Sequence, residues 1–138
     1  MMARPGSALV VLALLASPWA RAQERILTDA AGRRVEVPAE VSRVFTAGPP
    51  ASVAVYMVAP DKLARWVRAP SVKEKAYLAE PYASLPETGR LTRRGNAANL
   101  GGLLATKPDL VLDVGTVDPT YASLADRTQA QTGIPYLE

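Results

Sequence analysis

The sequence NLGGLLATKPDLVLDVGT, residues 99–116, decides the fold of this chain, because it predicts a short helix, a turn and a buried strand in succession. Its first half carries leucines at positions i, i+3 and i+4, which share one face of a helix: Leu100, Leu103 and Leu104. Pro108 ends that helix, since its ring cannot continue helical geometry. The apolar run at residues 110–114, interrupted by Asp113, is typical of a strand covered on both faces.

A helix followed by such a strand is half of a parallel α/β layer, and the segments on either side fit the same layer. Ligands of open parallel sheets bind beyond the carboxyl ends of the strands, an edge that lies here at residues 114–116. A β-hairpin is predicted at residues 26–37, with Gly32 in its turn. Further strands are predicted at residues 43–47, 63–67 and 134–137, and further helices at residues 52–58, 72–79 and 119–131.

The composition indicates one small globular domain and excludes several kinds of site. The 138 residues are 49% hydrophobic and 21% charged, and they include no cysteine and no histidine. Disulfides, thiol nucleophiles, Cys/His zinc sites and a Ser-His-Asp triad are therefore excluded. Two of the 16 basic residues lie in the first 22, which leaves 14 against 13 acidic residues, so we expect no nucleic-acid partner.

The first 22 residues have the pattern of a secretory signal peptide. Arg4 supplies the positive start, residues 8–16 form an apolar core too short to span a bilayer, and Pro18 breaks it. Residues 20–22, Ala-Arg-Ala, are an A-x-A cleavage site, so we expect cleavage after Ala22 and a periplasmic protein without a lipid anchor. An uncleaved anchor or a misassigned start is the alternative.

Residues 23–138 are expected to form the folded part. The sequence stops at Glu138, inside a predicted strand, whereas domains usually end in exposed polar segments. We therefore expect that it is one lobe of a longer protein.

Several short motifs carry a resemblance to a known family, in this order along the chain: TDAAGR at residues 28–33, Val37-Pro38, Arg43-Val44, Gly95-Asn96, Asn99-Leu100 and LATKPDLV at residues 104–111. With the signal peptide, they resemble the N-terminal lobe of periplasmic substrate-binding proteins for iron complexes and cobalamin, which serve ABC importers. The resemblance implies a Rossmann-like α/β lobe. In the family, a single long helix joins it to a second lobe, and neither is in this chain.

The resemblance also implies that the loops after the strands line a ligand cleft, which makes ten residues candidates: Gly48, Pro49, Pro50, Arg68, Arg93, Arg94, Gly95, Asn96, Gly115 and Thr116. Ferric siderophores and citrate complexes are usually anionic, and guanidinium groups pair with their oxygens in charge-assisted hydrogen bonds. Tyr77 and Tyr82 could stack on a ligand or coordinate haem iron. Alternatively, the arginines form a solvated face, the tyrosines pack against the lobe, and the glycines serve only their turns.

The function implied is that of a carrier, without cofactor or catalytic residue, that captures an iron complex and delivers it to a membrane permease. Cobalamin or a metal oxyanion such as molybdate is an alternative ligand, and a monomer is expected. Gly101 stands where the family usually has a glutamate that meets the permease, which puts that contact in doubt. Alternatives of another class are an exported enzyme using Asp113 and Asp118 as metal ligands, or an inactive truncated lobe.

Overall fold

The structure is a computed structural model that describes residues 24–91 and 99–138. Its strands are β1 (Arg25–Thr28), β2 (Arg34–Val37), β3 (Val44–Thr46), β4 (Leu110–Leu112) and β5 (Tyr136–Leu137). Its α-helices are α1 (Pro49–Val58), α2 (Val72–Lys75), α3 (Leu100–Thr106) and α4 (Pro119–Thr132), and short 3-10 helices span Pro60–Lys62 and Tyr82–Ser84. The predicted signal peptide and residues 92–98 lie outside the described residues.

A parallel sheet in the order β3-β4-β5 forms the centre of the fold, which confirms the predicted α/β class. Val111 of β4 lies opposite Phe45 of β3 and Tyr136 of β5. On the other side of β3, Leu63 adds a single parallel bridge to Val44. Leu63 thus lies on one side of β3 and β4 lies on the other, so the order of the chain across the sheet reverses at β3.

The regular strand predicted at residues 63–67 was wrong. After Leu63 the backbone turns away from the sheet, since the Trp66 N–H donates to the carbonyl of Pro86 at 2.9 Å, and the Thr88 N–H donates to the carbonyl of Trp66 at 2.8 Å. Only isolated bridges remain, because beyond the Ala64 N–H, which donates to the carbonyl of Val44 at 3.4 Å, the backbone of this segment bonds to residues 86–89 instead of β3.

The predicted hairpin is confirmed, with β1 and β2 antiparallel and Gly32 at a φ of +75° in the turn. Val35 and Val37 of β2 are buried, as the alternation of a half-buried strand requires. Arg33 ties the hairpin to α4, since its Nε lies 2.9 Å from Asp126 Oδ1 and its Nη1 lies 3.2 Å from Asp29 Oδ2.

The core lies on both faces of the sheet, because neighbouring residues of a strand point to opposite sides. One face packs Val44 and Leu110 with Val55 of α1. The other packs Val111 with Leu103 of α3 and, from α4, Ala125, which has no exposed surface. Helices therefore cover both faces, which explains the apolar run of β4.

Helix boundaries differ from the predicted ones for local reasons. Helix α1 begins at Pro49, because proline has no N–H that needs a partner in a first helical turn. Helix α2 ends at Lys75, four residues early, since the chain continues in turns where the Tyr77 N–H donates to the carbonyl of Glu74 at 3.0 Å. Helix α3 ends as predicted before Pro108, with Lys107 left-handed at a φ of +50°.

Candidate functional site

The carboxyl ends of β3 and β4 meet where the strand order reverses. The Ala47 N–H, just after β3, donates to the carbonyl of Leu112 at 2.9 Å, so the two strand ends stay side by side. In doubly wound α/β sheets the crevice at this reversal is where ligands bind. The sheet order therefore marks this edge as the candidate site.

A cavity of about 200 Å³ opens at this edge and brings predicted residues together. We name it the polar cavity, and it is lined by Ala47, Gly48, Pro49, Pro50, Arg90, Asp113, Val114, Gly115, Thr116 and Tyr121. Gly48, Pro49 and Pro50 come from the loop after β3 and the start of α1, and Gly115 and Thr116 come from the loop after β4. The two loops predicted to form one cleft wall thus meet in a single cavity.

The glycines of the polar cavity are not required by backbone conformation or by close packing. A Cβ on Gly48 would lie 3.7 Å from the Cδ of Pro50 and 4.0 Å from Asp113 Oδ1, which are ordinary contacts. A Cβ on Gly115 would have no neighbour within 4 Å. Small residues here leave space at the edge of the sheet rather than permit a strained turn.

Asp113 brings a carboxylate to the polar cavity and is held by two hydrogen bonds. Its Oδ1 accepts from the Val114 N–H at 2.9 Å, and its Oδ2 accepts from the hydroxyl of Tyr136 at 3.0 Å. Burial and the Asp113 carboxylate raise the pKa of Tyr136, so the hydroxyl stays protonated and remains a donor. The orientation of Asp113 is therefore set by the sheet itself.

Arg90 is the basic residue of the polar cavity, and sequence reasoning did not single it out. The Gly89 N–H donates to the carbonyl of Val67, and the Leu91 N–H donates to the carbonyl of Ala47, both at 3.0 Å. These bonds on either side hold Arg90 at the edge of the sheet, with an exposed side chain. Arg90 makes no ion pair with any carboxylate of residues 24–91 and 99–138. The signal in the sequence is its closeness to Arg93 and Arg94, with which it forms a basic cluster at residues 90–94.

The other basic candidates of that cluster, Arg93 and Arg94, lie outside the described residues, as do Gly95 and Asn96. Their place in a cleft wall stays a prediction. Their neighbours on both sides, Leu91 and Asn99, are joined by a hydrogen bond of 2.6 Å from the Asn99 N–H to the carbonyl of Leu91.

A second cavity, of about 150 Å³, lies beside the first and contains Arg68. We name it the apolar cavity, and it is lined by Pro49, Ser52, Val53, Trp66, Arg68, Pro70, Glu74 and Leu78. Pro49 lines both cavities. The structure therefore places Arg68 next to the polar cavity and not among its lining residues.

Arg68 forms a two-pronged ion pair with Glu74 at the rim of the apolar cavity. Its Nη2 donates to Glu74 Oε1 at 2.6 Å, and its Nη1 donates to Oε2 at 3.1 Å. Hydrogen bonds from Arg68 and from Ser71, the capping residue of α2, lower the pKa of Glu74 to about 2. Both side chains are largely solvent-exposed, so this pair contributes little to the stability of the fold.

The aromatic residues near the apolar cavity pack against each other. The indole N–H of Trp66 donates to the carbonyl of Tyr82 at 2.8 Å. The ring of Tyr56 lies 5.6 Å from that of Trp66 and 5.9 Å from that of Tyr82. Tyr82 thus has the packing role that the sequence left open, whereas the side chain of Tyr77 projects from the surface, with the residue 88% exposed.

The two carboxylates predicted as possible metal ligands, Asp113 and Asp118, are both engaged in hydrogen bonds. Asp113 accepts from Val114 and Tyr136, as described above. Asp118 caps α4 by accepting from Thr120 at 2.7 Å. Within residues 24–91 and 99–138, no group of three acidic side chains could hold a metal ion. No helix in that part of the chain is long and apolar enough to cross a membrane.

Comparison with known proteins identifies the fold through solved structures, since neither a family model nor a curated protein sequence matches the chain. An ABC transporter solute-binding protein from Sulfurospirillum deleyianum DSM 6946 is similar with a TM-score of 0.64 at 23% identity, over 82% of this chain and 35% of that one. The fold is that of one lobe of an ABC-transporter solute-binding protein.

Two further solute-binding proteins share this fold. For the molybdate-binding MolA of Haemophilus influenzae, bound to molybdate, the TM-score is 0.58 at 22% identity, over 82% of this chain and 33% of that one. For a variant of the haem-binding protein HmuT, the TM-score is 0.52 at 22% identity, over 98% of this chain and 37% of that one. The chain thus spans about a third of these proteins, and the resemblance predicted from its motifs is confirmed for the fold.

Proposed function

We propose that this chain is the ligand-capturing lobe of a substrate-binding protein that delivers an iron complex to the permease of an ABC importer. The observation that carries the proposal is the polar cavity at the reversal of strand order, where Arg90 makes no ion pair within the described residues. A guanidinium group there suits the carboxylate or catecholate oxygens of a ferric siderophore or ferric citrate. A haem propionate offers the same chemistry.

The proposed site combines residues from both loops and the basic segment: Gly48, Pro49, Pro50, Arg90, Arg93, Arg94, Gly95, Asn96, Gly115 and Thr116. Arg68, predicted as a further member, lies in the neighbouring cavity, where it pairs with Glu74. Their role is capture rather than catalysis, since Asp113 and Asp118 already accept hydrogen bonds from within the fold and the sequence shows no nucleophile paired with a general base. In two-lobe binding proteins a second lobe closes over the ligand, which accounts for a site that one lobe leaves open.

Fluorescence of Trp66 tests this function, because that residue lines the cavity next to the proposed site. Replacing Trp19, the other of the two tryptophans in residues 1–138, by Phe makes Trp66 the only tryptophan of this stretch, whether or not the signal peptide is removed. The protein expressed from its own gene is titrated with a ferric siderophore, ferric citrate, haem, cobalamin and molybdate, with correction for absorption. A saturable change with one of them supports a carrier, whereas flat titrations with all five would favour an inactive lobe.

Molybdate or cobalamin is the second candidate ligand, and one observation favours molybdate. MolA, which has this fold, was solved with molybdate bound. Competition separates the candidates: molybdate that displaces a bound ferric complex would make the site an oxyanion site, whereas displacement by cobalamin alone would point to a corrinoid carrier.

The proposal also places the protein in the periplasm, from where it delivers the ligand to the membrane permease. Edman sequencing of the exported protein should begin at Gln23 if cleavage follows Ala22. Gly101 is exposed in the first turn of α3, and a Cβ there would meet nothing within 4 Å, so Gly101→Glu is sterically possible. If a charge at this position strengthens docking, Gly101→Glu should increase the protein's stimulation of the permease ATPase.

A further inference from the structure

The walls of the apolar cavity leave no unsatisfied polar group to hold an ion. The hydroxyl of Ser52 lies 2.7 Å from that of Thr46 and also accepts from the Val67 N–H at 3.4 Å. The charges of Arg68 and Glu74 satisfy each other at the rim. What remains to contact an occupant is apolar surface from Pro49, Val53, Trp66, Pro70 and Leu78.

These walls are also held in place before any ligand arrives. The indole of Trp66 is held by its hydrogen bond to Tyr82. The segment that contributes Pro70 is fixed by the capping box of α2, in which Ser71 and Glu74 exchange hydrogen bonds of 2.7 and 3.3 Å. A preformed cavity loses less entropy on binding than one that must be ordered.

We propose that the apolar cavity is a second subsite, which takes an aromatic ring or compact aliphatic group carried by the ligand. The two cavities are adjacent, since Pro49 lines both, and the proposed ligand bound in the polar cavity places its arm in the apolar one. Its volume of about 150 Å³ suits one ring, because apolar cavities of about that size hold benzene. The inference rests on the proposed function and narrows its substrate class to organic chelates with an aryl or alkyl arm, in preference to bare oxyanions.

A cavity-filling substitution tests this subsite with a matched control on the same helix. Val53 lies at the cavity and is half exposed, so Val53→Phe fills it without disturbing the core. Met57 is 75% exposed on α1 and lies outside the cavity lining, so Met57→Phe adds the same ring elsewhere. Thermal unfolding of both variants checks that they are folded.

Three probes are used. A ferric tris-catecholate and ferric citrate share iron and anionic oxygen ligands, but only the catecholate complex carries aromatic rings. Molybdate is the bare oxyanion. Val53→Phe should weaken binding of the catecholate complex about tenfold or more, from the loss of one buried ring, and change citrate or molybdate less than about twofold. Met57→Phe should leave all three unchanged.

Three results would overturn the subsite. Val53→Phe could weaken all bound probes alike, as it would if the cavity seats another lobe or a second copy of the chain. It could weaken none of them, or the wild-type protein could bind citrate or molybdate and not the catecholate complex. In that last case the carrier function stands and only the subsite fails, whereas a wild-type protein that binds no probe removes the proposed function itself.

Discussion

The two cavities beside Pro49 each contain one arginine and one carboxylate, yet they differ in how those charges are used. In the apolar cavity, Arg68 and Glu74 are joined at 2.6 Å. In the polar cavity, Asp113 is held by Tyr136 and Val114, and Arg90 makes no ion pair within the described residues. A position at the edge of the sheet is therefore not enough to make an arginine an anion site, since its pairing decides whether the charge can reach a ligand.

The largest expected effect separates the two arginines. Arg90→Ala should weaken the binding of an anionic ferric complex about tenfold to a hundredfold, which is the usual loss for a hydrogen bond to a charged group. Arg68→Ala should change its affinity less than about threefold, because Glu74 already occupies that guanidinium. Isothermal titration of both variants measures the difference, and an equal loss in both would break the comparison.

Removing the hydroxyl of Tyr136 tests how Asp113 is held. Tyr136→Phe deletes a hydrogen bond of 3.0 Å from a residue with no exposed surface. The free energy of unfolding should fall by about 1 kcal/mol, as measured by urea denaturation. An unchanged value would mean that this hydrogen bond contributes nothing to stability and that Tyr136 does not hold Asp113 in place.

Neutralising Asp113 should raise the affinity for an anionic ligand, whereas removing Arg90 should lower it. Asp113→Asn keeps one acceptor oxygen for the Val114 N–H and puts an amide NH2, which can donate to the hydroxyl oxygen of Tyr136, in place of the second oxygen, and it removes a negative charge from the polar cavity. Affinity for an anionic complex should rise about threefold at low salt, and the gain should shrink at high salt, where charges are screened. Titrations at two salt concentrations measure both changes, and a loss of affinity would assign Asp113 a direct contact with the ligand.

The smallest expected effect concerns the pH at which the Glu74 carboxyl titrates. Because Arg68 and Ser71 lower the pKa of Glu74 from 4.5 to about 2, the ion pair stabilises the folded state above pH 4.5 and is lost as the pH falls from there to about 2. Carbon NMR of the Glu74 carboxyl should show this midpoint, and Arg68→Ala should move it towards 4.5. A midpoint near 4.5 in the wild-type protein would mean that Glu74 does not pair with Arg68, whose guanidinium would then be as available to a ligand as that of Arg90.

Local patterns predicted most of the elements correctly where each element depends on its own residues. The leucine spacing before Pro108 predicted α3, and the apolar run after it predicted β4, because β4 is covered on both faces by helices. Residues 63–67 have a similar apolar appearance, but Trp66 and Val67 form backbone hydrogen bonds with residues 86–89 rather than with β3. No local pattern reveals which partner a strand will find.

The candidate site was predicted in part for a similar reason. Gly48 and Gly115 were found because they follow predicted strands, and the carboxyl ends of parallel strands meet at one edge. Arg90 was missed because its place depends on the bond from Leu91 to Ala47, which joins distant parts of the chain. Arg68 was predicted to line the cleft because the sequence does not reveal that Glu74, from the next helix, is its partner.

The sequence by itself determined the class of the fold, the order of its elements and the loops that meet at the carboxyl edge of the sheet, because these follow from hydrophobic periodicity and from helix and turn signals. Tertiary structure alone decided which charges at that edge are paired and how it divides into a polar and an apolar cavity. The physical reason is that ion pairing and cavity shape depend on distances between side chains far apart in sequence, which only the packing of helices against the sheet sets.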